Sequence, residues 1–368
     1  MKLKLKNTPE QVELIKAIGS RDQLKSREAA EAFAAFLGPV VGEVLLHAGT
    51  AGAIFTDSEY DEDDSPSYPL DLYYGESANH VQVWSQSMAG GLPSSHVSGM
   101  QELKISTYRL DSAVSFNKRY ARKARLDIIS KAIERMAQEV LVKQERNAWA
   151  VLLKALAEAS TTPVGGSATK HIVASNAAGT FALGDLNALL TRIKRINESF
   201  VGGTPVAPYS KGMTDLYVSP EMKEQIRAFA YNAVGNSSVD LPANVREGIF
   251  RQAGMQEIYG VNIVELIELG IDKRYNILFD SFTSGQSVPG HNSSAWNGSD
   301  NDELLIGIDN SRGAMIRPVA RNADSGSTFT ALPDDQFNIT RVDKAGFYGS
   351  MEEGRLCLDS RALVGIVV

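Results

Sequence analysis

Two charge runs carry the residue types and spacings that invite chemistry. Asp57, Glu59, Asp61, Glu62, Asp63 and Asp64 place six carboxylates within eight residues, a density of hard oxygen ligands suited to calcium. The run lacks the glycine that turns an EF-hand loop and the glutamate that closes it, so it reads as a solvated acidic loop. Lys118, Arg119, Arg122, Lys123 and Arg125 put five cations in eight residues at the start of a long helical pattern. Cations at a helix N-terminus oppose its dipole, each costing about 0.3–1 kcal/mol. The cluster therefore asks for anionic partners, either carboxylates of a neighbour or phosphates, unless it is a solvated basic face.

Other chemistry is sparse. The five histidines, His47, His80, His96, His171 and His291, fall one per region, and no H-E-x-x-H pair or Cys/His cluster gathers them. A single cysteine, Cys357, excludes an intrachain disulfide and a multi-cysteine metal site, and its leucine neighbours mark a structural residue in a strand. No G-x-S-x-G elbow, P-loop or G-x-G-x-x-G fingerprint occurs, and the glycine pairs Gly165-Gly166 and Gly202-Gly203 read as turns. No catalytic, cofactor or metal residue is expected.

The totals bound the class. With 368 residues, 43% hydrophobic and 22% charged, the chain is an ordinary globular composition of about two domains. No apolar stretch reaches the ~18 residues of a membrane span, and Met1–Asn7 has no apolar core of a secretory signal, so a cytoplasmic site of synthesis and use is expected. A net charge of −7 argues against wrapping nucleic acid along the whole surface.

The elements that must position these residues are lopsided. From Leu126 to about Ala159, apolar residues recur at steps of three and four without proline or glycine, predicting one helix ~50 Å long. Before it, Ser65–Asn117 is extended and punctuated by glycine and proline, with strands at Val81–Trp84 and Leu103–Tyr108 around a tip at Ser87–Gly99. Lysine and leucine alternate over residues 2–6 with the period of a strand, and Thr8-Pro9-Glu10 opens a helix. A second helix is expected at Ser26–Leu37, broken at Gly38-Pro39, with Val40–His47 resuming as helix. Beyond a strand at His171–Ala174, a second domain begins near Phe181. Its helices are capped by Gly184-Asp185 and Ser219-Pro220 or opened by Pro242, and its strands lie at Thr214–Val218, Val261–Val264, Tyr275–Phe279, Leu304–Ile308 and Met315–Val319. Polar loops at Gly235–Asp240 and Ser284–Asp302 are long, and from Asn338 the chain is strand-like to an apolar end, Leu363–Val368.

This order of parts, with Asp215-Leu-Tyr-Val-Ser-Pro-Glu-Met222 and the ending Gly346–Val368, resembles the HK97-type major capsid protein of tailed bacteriophages. The resemblance implies an α+β fold divided into an N-terminal arm (1–64), an extended E-loop (65–117), a P domain with its spine helix (118–180), an A domain with a central sheet flanked by helices (181–337) and P-domain return strands (338–368). It implies a non-enzymatic shell subunit of the virion that forms hexamers and pentamers around double-stranded DNA, without sequence specificity and without a membrane. It further implies a separate scaffolding protein, since the arm begins almost at once, a portal at one vertex, and room for cement or decoration proteins. Lys104 carries no mark of a crosslinking lysine. Contacts between subunits are expected from Asp57, Glu59, Asp61 and Asp63 against Lys118, Arg119, Arg122 and Lys123, and from Trp84 and Met88 of the E-loop. The competing readings are an encapsulin-like nanocompartment shell and a soluble hydrolase.

Overall fold

The computed structural model describes residues 8–20, 22–47, 49–61, 64–69, 102–123, 126–161, 171–198, 212–229, 257–283, 296, 302–322, 328–333 and 344–368. Along the chain come α1 (Pro9–Ile18), α2 (Gln23–His47), β1 (Thr56–Asp61), β2 (Ser67–Pro69), β3 (Glu102–Lys104), β4 (Tyr108–Asn117), α3 (Lys118–Arg122) and α4 (Leu126–Thr161). Next are β5 (Ile172–Ala174), α5 (Leu183–Glu198), β6 (Asp215–Val218), α6 (Pro220–Ala228), β7 (Glu257–Ile258), β8 (Val261–Glu265) and α7 (Arg274–Thr283). The chain closes with β9 (Leu304–Ile308), β10 (Met315–Arg321), β11 (Thr330–Pro333), β12 (Lys344–Glu353), β13 (Leu356–Cys357) and β14 (Leu363–Val367). The expected strand at residues 2–6, the strand at Val81–Trp84, the helix at Pro242 and the loop Gly235–Asp240 lie outside the described residues.

Local chemistry sets the helix starts. The Thr8 hydroxyl accepts the N–H of Gln11 at 3.4 Å, with Pro9 in the first position. Ser219 does the same for Met222 at 3.1 Å ahead of Pro220. Asp185 is not the cap of α5, which already begins at Leu183; its carboxylate reaches back to accept the N–H of Ala182 at 2.9 Å.

Two compact units divide the chain: Met1–Ser67, Lys104–Ala148 and Ile316–Leu356 form one, and Tyr68–Leu103, Trp149–Met315 and Cys357–Val368 the other. In the first, strands run in the order β1-β10-β12-β11, with β4 on the other side of β12 in a ten-residue antiparallel register from Tyr108↔Glu353 to Asn117↔Lys344. Side chains on one face of this sheet meet α1, α2 and the first part of α4. Phe347 packs on Phe33 at 5.3 Å and on Phe116 at 5.9 Å, within a core that also holds Ile15, Leu37, Ile133 and Met136. Gly349 has no side chain because the buried Phe329 ring occupies that space.

The second unit is a six-stranded mixed sheet in the order β5-β14-β9-β6-β8-β7. Alternation along β6 sends Leu216 and Val218 to one face, where they pack with Leu186, Leu189 and Ile193 of α5 and with Met222 and Ile226 of α6. Tyr217 points to the other face, against Trp149 at 4.9 Å, and Trp149 in turn meets Tyr275 of α7 at 5.8 Å. Tyr259 and Gly260 both have positive φ and make the two-residue turn from β7 to β8, the geometry whose twist matches paired strands.

Several sequence expectations are corrected. Tyr275–Phe279 is helical, not a strand: Tyr275 and Phe279 are buried while Ile277 is 54% exposed, an i, i+4 pattern that a strand cannot produce. The helix α2 runs through Gly38-Pro39 without stopping, because the buried stripe Ala30, Phe33, Ala34, Leu37 and Val41 continues across it. That packing offsets the ~3 kcal/mol cost of an interior proline. The last ten residues of the ribbon Ser65–Asn117 are β4, laid along β12 with Phe116 in the core, so this end of the ribbon is packed within its own unit. At the foot of the remaining segment β2 pairs with β3.

Trp149 is fully buried between two tyrosines, so Trp149→Ala should cost about 3–5 kcal/mol, read as a lower urea midpoint with an unchanged slope. Glu303, before β9, is buried with Oε1 unpartnered, and burial holds its carboxyl above the usual range against the opposing hydrogen bond with Ser219. A raised folded pKa means that the protonated form favours the native state; that advantage is full below the ordinary value of 4.5 and is lost as pH rises through the folded value. Glu303→Gln should therefore match the parent in Tm near about pH 4 and exceed it near about pH 8.

Candidate assembly surfaces

From Asp57 to Asp61 the acidic run is a strand, not a loop; Glu62 and Asp63 lie outside the described residues. Over Thr56–Asp61 it pairs in parallel with Ile316–Arg321, in the register Asp57↔Arg317, Glu59↔Val319 and Asp61↔Arg321. Two of the expected contact residues thereby find partners in their own chain: Asp57 faces Arg317 Nη1 at 3.4 Å, and Glu59 faces Arg321 Nη1 at 3.2 Å. The Glu59 pair is exposed and the Asp57 pair is buried on the arginine side. Burial raises the Asp57 pKa, with Arg317 and Arg355 pulling it down. Asp61 is exposed at the end of β1. Asp63, Trp84 and Met88 lie outside the described residues.

The basic cluster is also rearranged. Lys118–Arg122 forms a short helix of its own, α3, and the long helix starts only at Leu126. Asn117 caps α3 by accepting the N–H of Arg119 at 2.9 Å, and Arg119 and Arg122 fall in its last turn, where the dipole favours cations. For Arg119 and Arg122 the penalty expected at the start of the long helix does not arise. Arg122 Nε donates to the carbonyl of Gly19 at 2.7 Å and ties α3 to the end of α1. Arg119 and Lys123 are exposed, and Lys118 is half-buried.

A buried charge network, invisible to motif reasoning, sits in the first unit around Glu353. Arg317 Nε donates to its Oε2 at 2.9 Å, Arg355 Nη2 at 3.3 Å and Gln144 Nε2 at 3.1 Å, while the Tyr108 hydroxyl donates to Oε1 at 2.8 Å. Burial, then the Glu353 charge, pushes the Tyr108 phenol up to about 12. The Arg355 guanidinium lies over the Phe55 ring at 4.8 Å. In the sequence Glu353 and Arg355 stand among other charges of the ending, Glu352, Asp359 and Arg361, and nothing singles them out.

The remaining chemistry is structural. His171 is buried with Nδ1 placed 2.9 Å from the carbonyl of Leu363, and desolvation lowers its pKa. Burial pushes the Cys357 thiol up to about 12, which fits a residue held in packing. Among the described residues no group of three or more His, Cys, Asp or Glu could hold a metal ion, and no helix is long and apolar enough to cross a membrane. Sequence reasoning also missed the exposed apolar residues of the second unit, Ile267 at 78% and Ile277 at 54%, since a helix or loop pattern does not show which residue is left uncovered.

No family model matches the sequence, and no curated protein matches it. Solved structures do. The capsid of a native GTA particle is 12% identical, with 87% of this chain and 90% of that chain covered at a TM-score of 0.51. The capsid of an empty GTA particle gives the same identity and coverage at 0.50. The capsid of cyanophage P-SCSP1u is 14% identical over 85% of this chain and 86% of that chain, at 0.48. The likeness defines the class of fold: this chain has an α+β capsid fold of the HK97-like kind.

Glu353→Gln should leave the buried Arg355 without its carboxylate and Arg317 with only its 3.4 Å pair to Asp57, and cost about 3–5 kcal/mol by chemical denaturation at neutral pH. An unchanged midpoint would show that the charge contributes nothing.

Proposed function

We propose that this chain is the major capsid protein of a tailed bacteriophage, a structural subunit that assembles into hexamers and pentamers of an icosahedral shell around double-stranded DNA. The observation that carries this reading is a capsid likeness spanning 87% of this chain and 90% of the matched capsid chain, so that it covers the whole architecture and not one shared module. The scarcity of catalytic motifs agrees with a structural role. A shell of this kind depends on many modest contacts repeated by symmetry, where closure supplies the cooperativity.

In this reading the E-loop, with Trp84 and Met88 near its tip, lies over a neighbouring subunit, and the exposed cations Arg119 and Lys123 meet carboxylates of another. A separate scaffolding protein guides assembly in the host cytoplasm, a portal occupies one vertex, and decoration proteins find the outer face of the virion. Each exposed ion pair contributes only about 0–1 kcal/mol, so the contacts act by number.

Electron microscopy of the expressed chain, alone and with scaffolding protein, tests the reading directly: closed shells support it, and a monomer under every condition overturns it. Deleting Met88–His96 should weaken capsomer assembly and leave the circular dichroism near that of the parent. Normal shells from the deleted chain would remove the E-loop from the contact.

A further inference from the structure

The strand β8 has an exposed aromatic ring at one end and an uncovered apolar patch at the other. We propose that one copy seats Tyr259 on the patch formed by Ile267, Ile271 and Ile277 of a second copy, a head-to-tail contact that repeats from copy to copy. It rests on the shell reading above and names one of the contacts by which copies close into a capsomer.

Tyr259 is 58% exposed and holds φ at +53° in the two-residue turn between β7 and β8. That backbone conformation suits Asn, Asp or Gly, and a tyrosine there is sterically disfavoured. With most of its ring in solvent, it recovers little packing from its own chain. A local rule broken without a local return points to a use outside the chain.

The patch is built by two successive turns and the start of α7. The N–H of Leu269 bonds to the carbonyl of Leu266, and that of Lys273 to the carbonyl of Gly270, which leaves Ile267 and Ile271 at the corners. The N–H of Tyr275 reaches the carbonyl of Glu268 at 3.1 Å and draws the first of these turns onto the head of α7. Ile277 follows in the first turn of that helix. Ile271 is 38% exposed, and Ile267 and Ile277 are more exposed still. Three uncovered isoleucines so close together are a cluster, not the single scattered apolar residues of an ordinary surface.

Charge selects this pairing over two rings or two patches meeting. Glu257 is exposed two residues before Tyr259, while Lys273 and Arg274 stand exposed between Ile271 and Ile277 and outnumber Asp272. Glu257 is attracted to those cations, whereas either surface set against its own kind opposes like charges. Distance excludes a contact within one copy: β8 spans five residues, about 17 Å, and keeps the two ends apart. Two different surfaces on one copy make a heterologous contact, which forms a ring when its rotation closes.

Two added cysteines on one chain test the contact. Tyr259→Cys is combined in turn with Ile267→Cys, Ile271→Cys or Ile277→Cys, and each double variant is assembled and oxidised. At least one should give a ladder of crosslinked oligomers, absent from the single variants and from the unaltered chain, whose Cys357 is held in packing. Normal particles without a ladder from any double variant overturn the proposal. So does a crosslinked dimer from Tyr259→Cys alone, which would set two rings together. If no double variant assembles, Tyr259→Asn decides, because asparagine suits the turn. Its Tm should equal or exceed the parent's while particle formation, followed by light scattering, slows by about tenfold or more, as for the loss of an aromatic anchor. Formation at the parent's rate overturns the contact, and a fall in Tm alongside slower formation makes Tyr259 a structural residue and overturns it too. An unaltered chain that never forms particles overturns the shell reading instead, and this contact with it.

Discussion

The first unit depends on one buried carboxylate. Glu353 sits at the end of β12 with no exposure, and its partners come from β4, β10, α4 and Arg355, two residues beyond the strand. A charge in that position is tolerable only because arginine, phenol and amide donors surround it, and each of them is drawn to the same point. Tyr108 thereby pins the start of β4, Arg317 aligns β10, and Gln144 fixes the long helix against the sheet. Arg317 carries the constraint one strand further by also reaching Asp57 of β1. The hydrophobic packing of Phe33, Phe116 and Phe347 supplies bulk stabilisation, but it is not directional. The alternating buried face of β4 and β12 favours one register, and the carboxylate adds a directional constraint to it.

Features whose cause is local were legible in the sequence. Thr8-Pro9 and Ser219-Pro220 start helices because capping and the fixed proline φ act within a few residues. The helix from Leu126 to Thr161 was legible because its apolar period is unbroken. Features decided by distant partners were not. Residues 57–61 make a strand by pairing with β10, whose Arg317 and Arg321 meet Asp57 and Glu59 from some 260 residues away in the chain. The apolar run at Tyr275–Phe279 is too short for its period to decide between strand and helix, and burial against Trp149 settles it. Of the expected contact residues, the structure gives Asp57, Glu59 and Arg122 partners within the chain and leaves Arg119, Lys123 and Asp61 exposed. An isolated sequence lists charges but cannot say which are already spoken for.

The chain illustrates how a capsid fold is kept while the residues that fill it change. At 12% identity almost no side chain is shared by position with the GTA capsid, yet 87% of the chain superposes at the level of the fold. What such a fold requires is therefore a pattern: a long uninterrupted helix, a strand pair of matched length such as β4 and β12, and a sheet with helices on both faces. Each can be met by many sequences, because apolar volume and period matter more than identity. The polar particulars, Glu353 among them, are then the chain's own solution for locking that pattern.

The place of β14 in its sheet has a consequence for synthesis. It is made after every other strand of that sheet, but it lies between β5 and β9, pairing Gly365 with Ile172 on one side and with Ile306 on the other. Until it arrives, β5 and the rest of the second unit's sheet each have an open edge in the interior of the fold. The sheet of the second unit therefore cannot close until β14 has been made, and its folding waits on a contact of very long sequence separation.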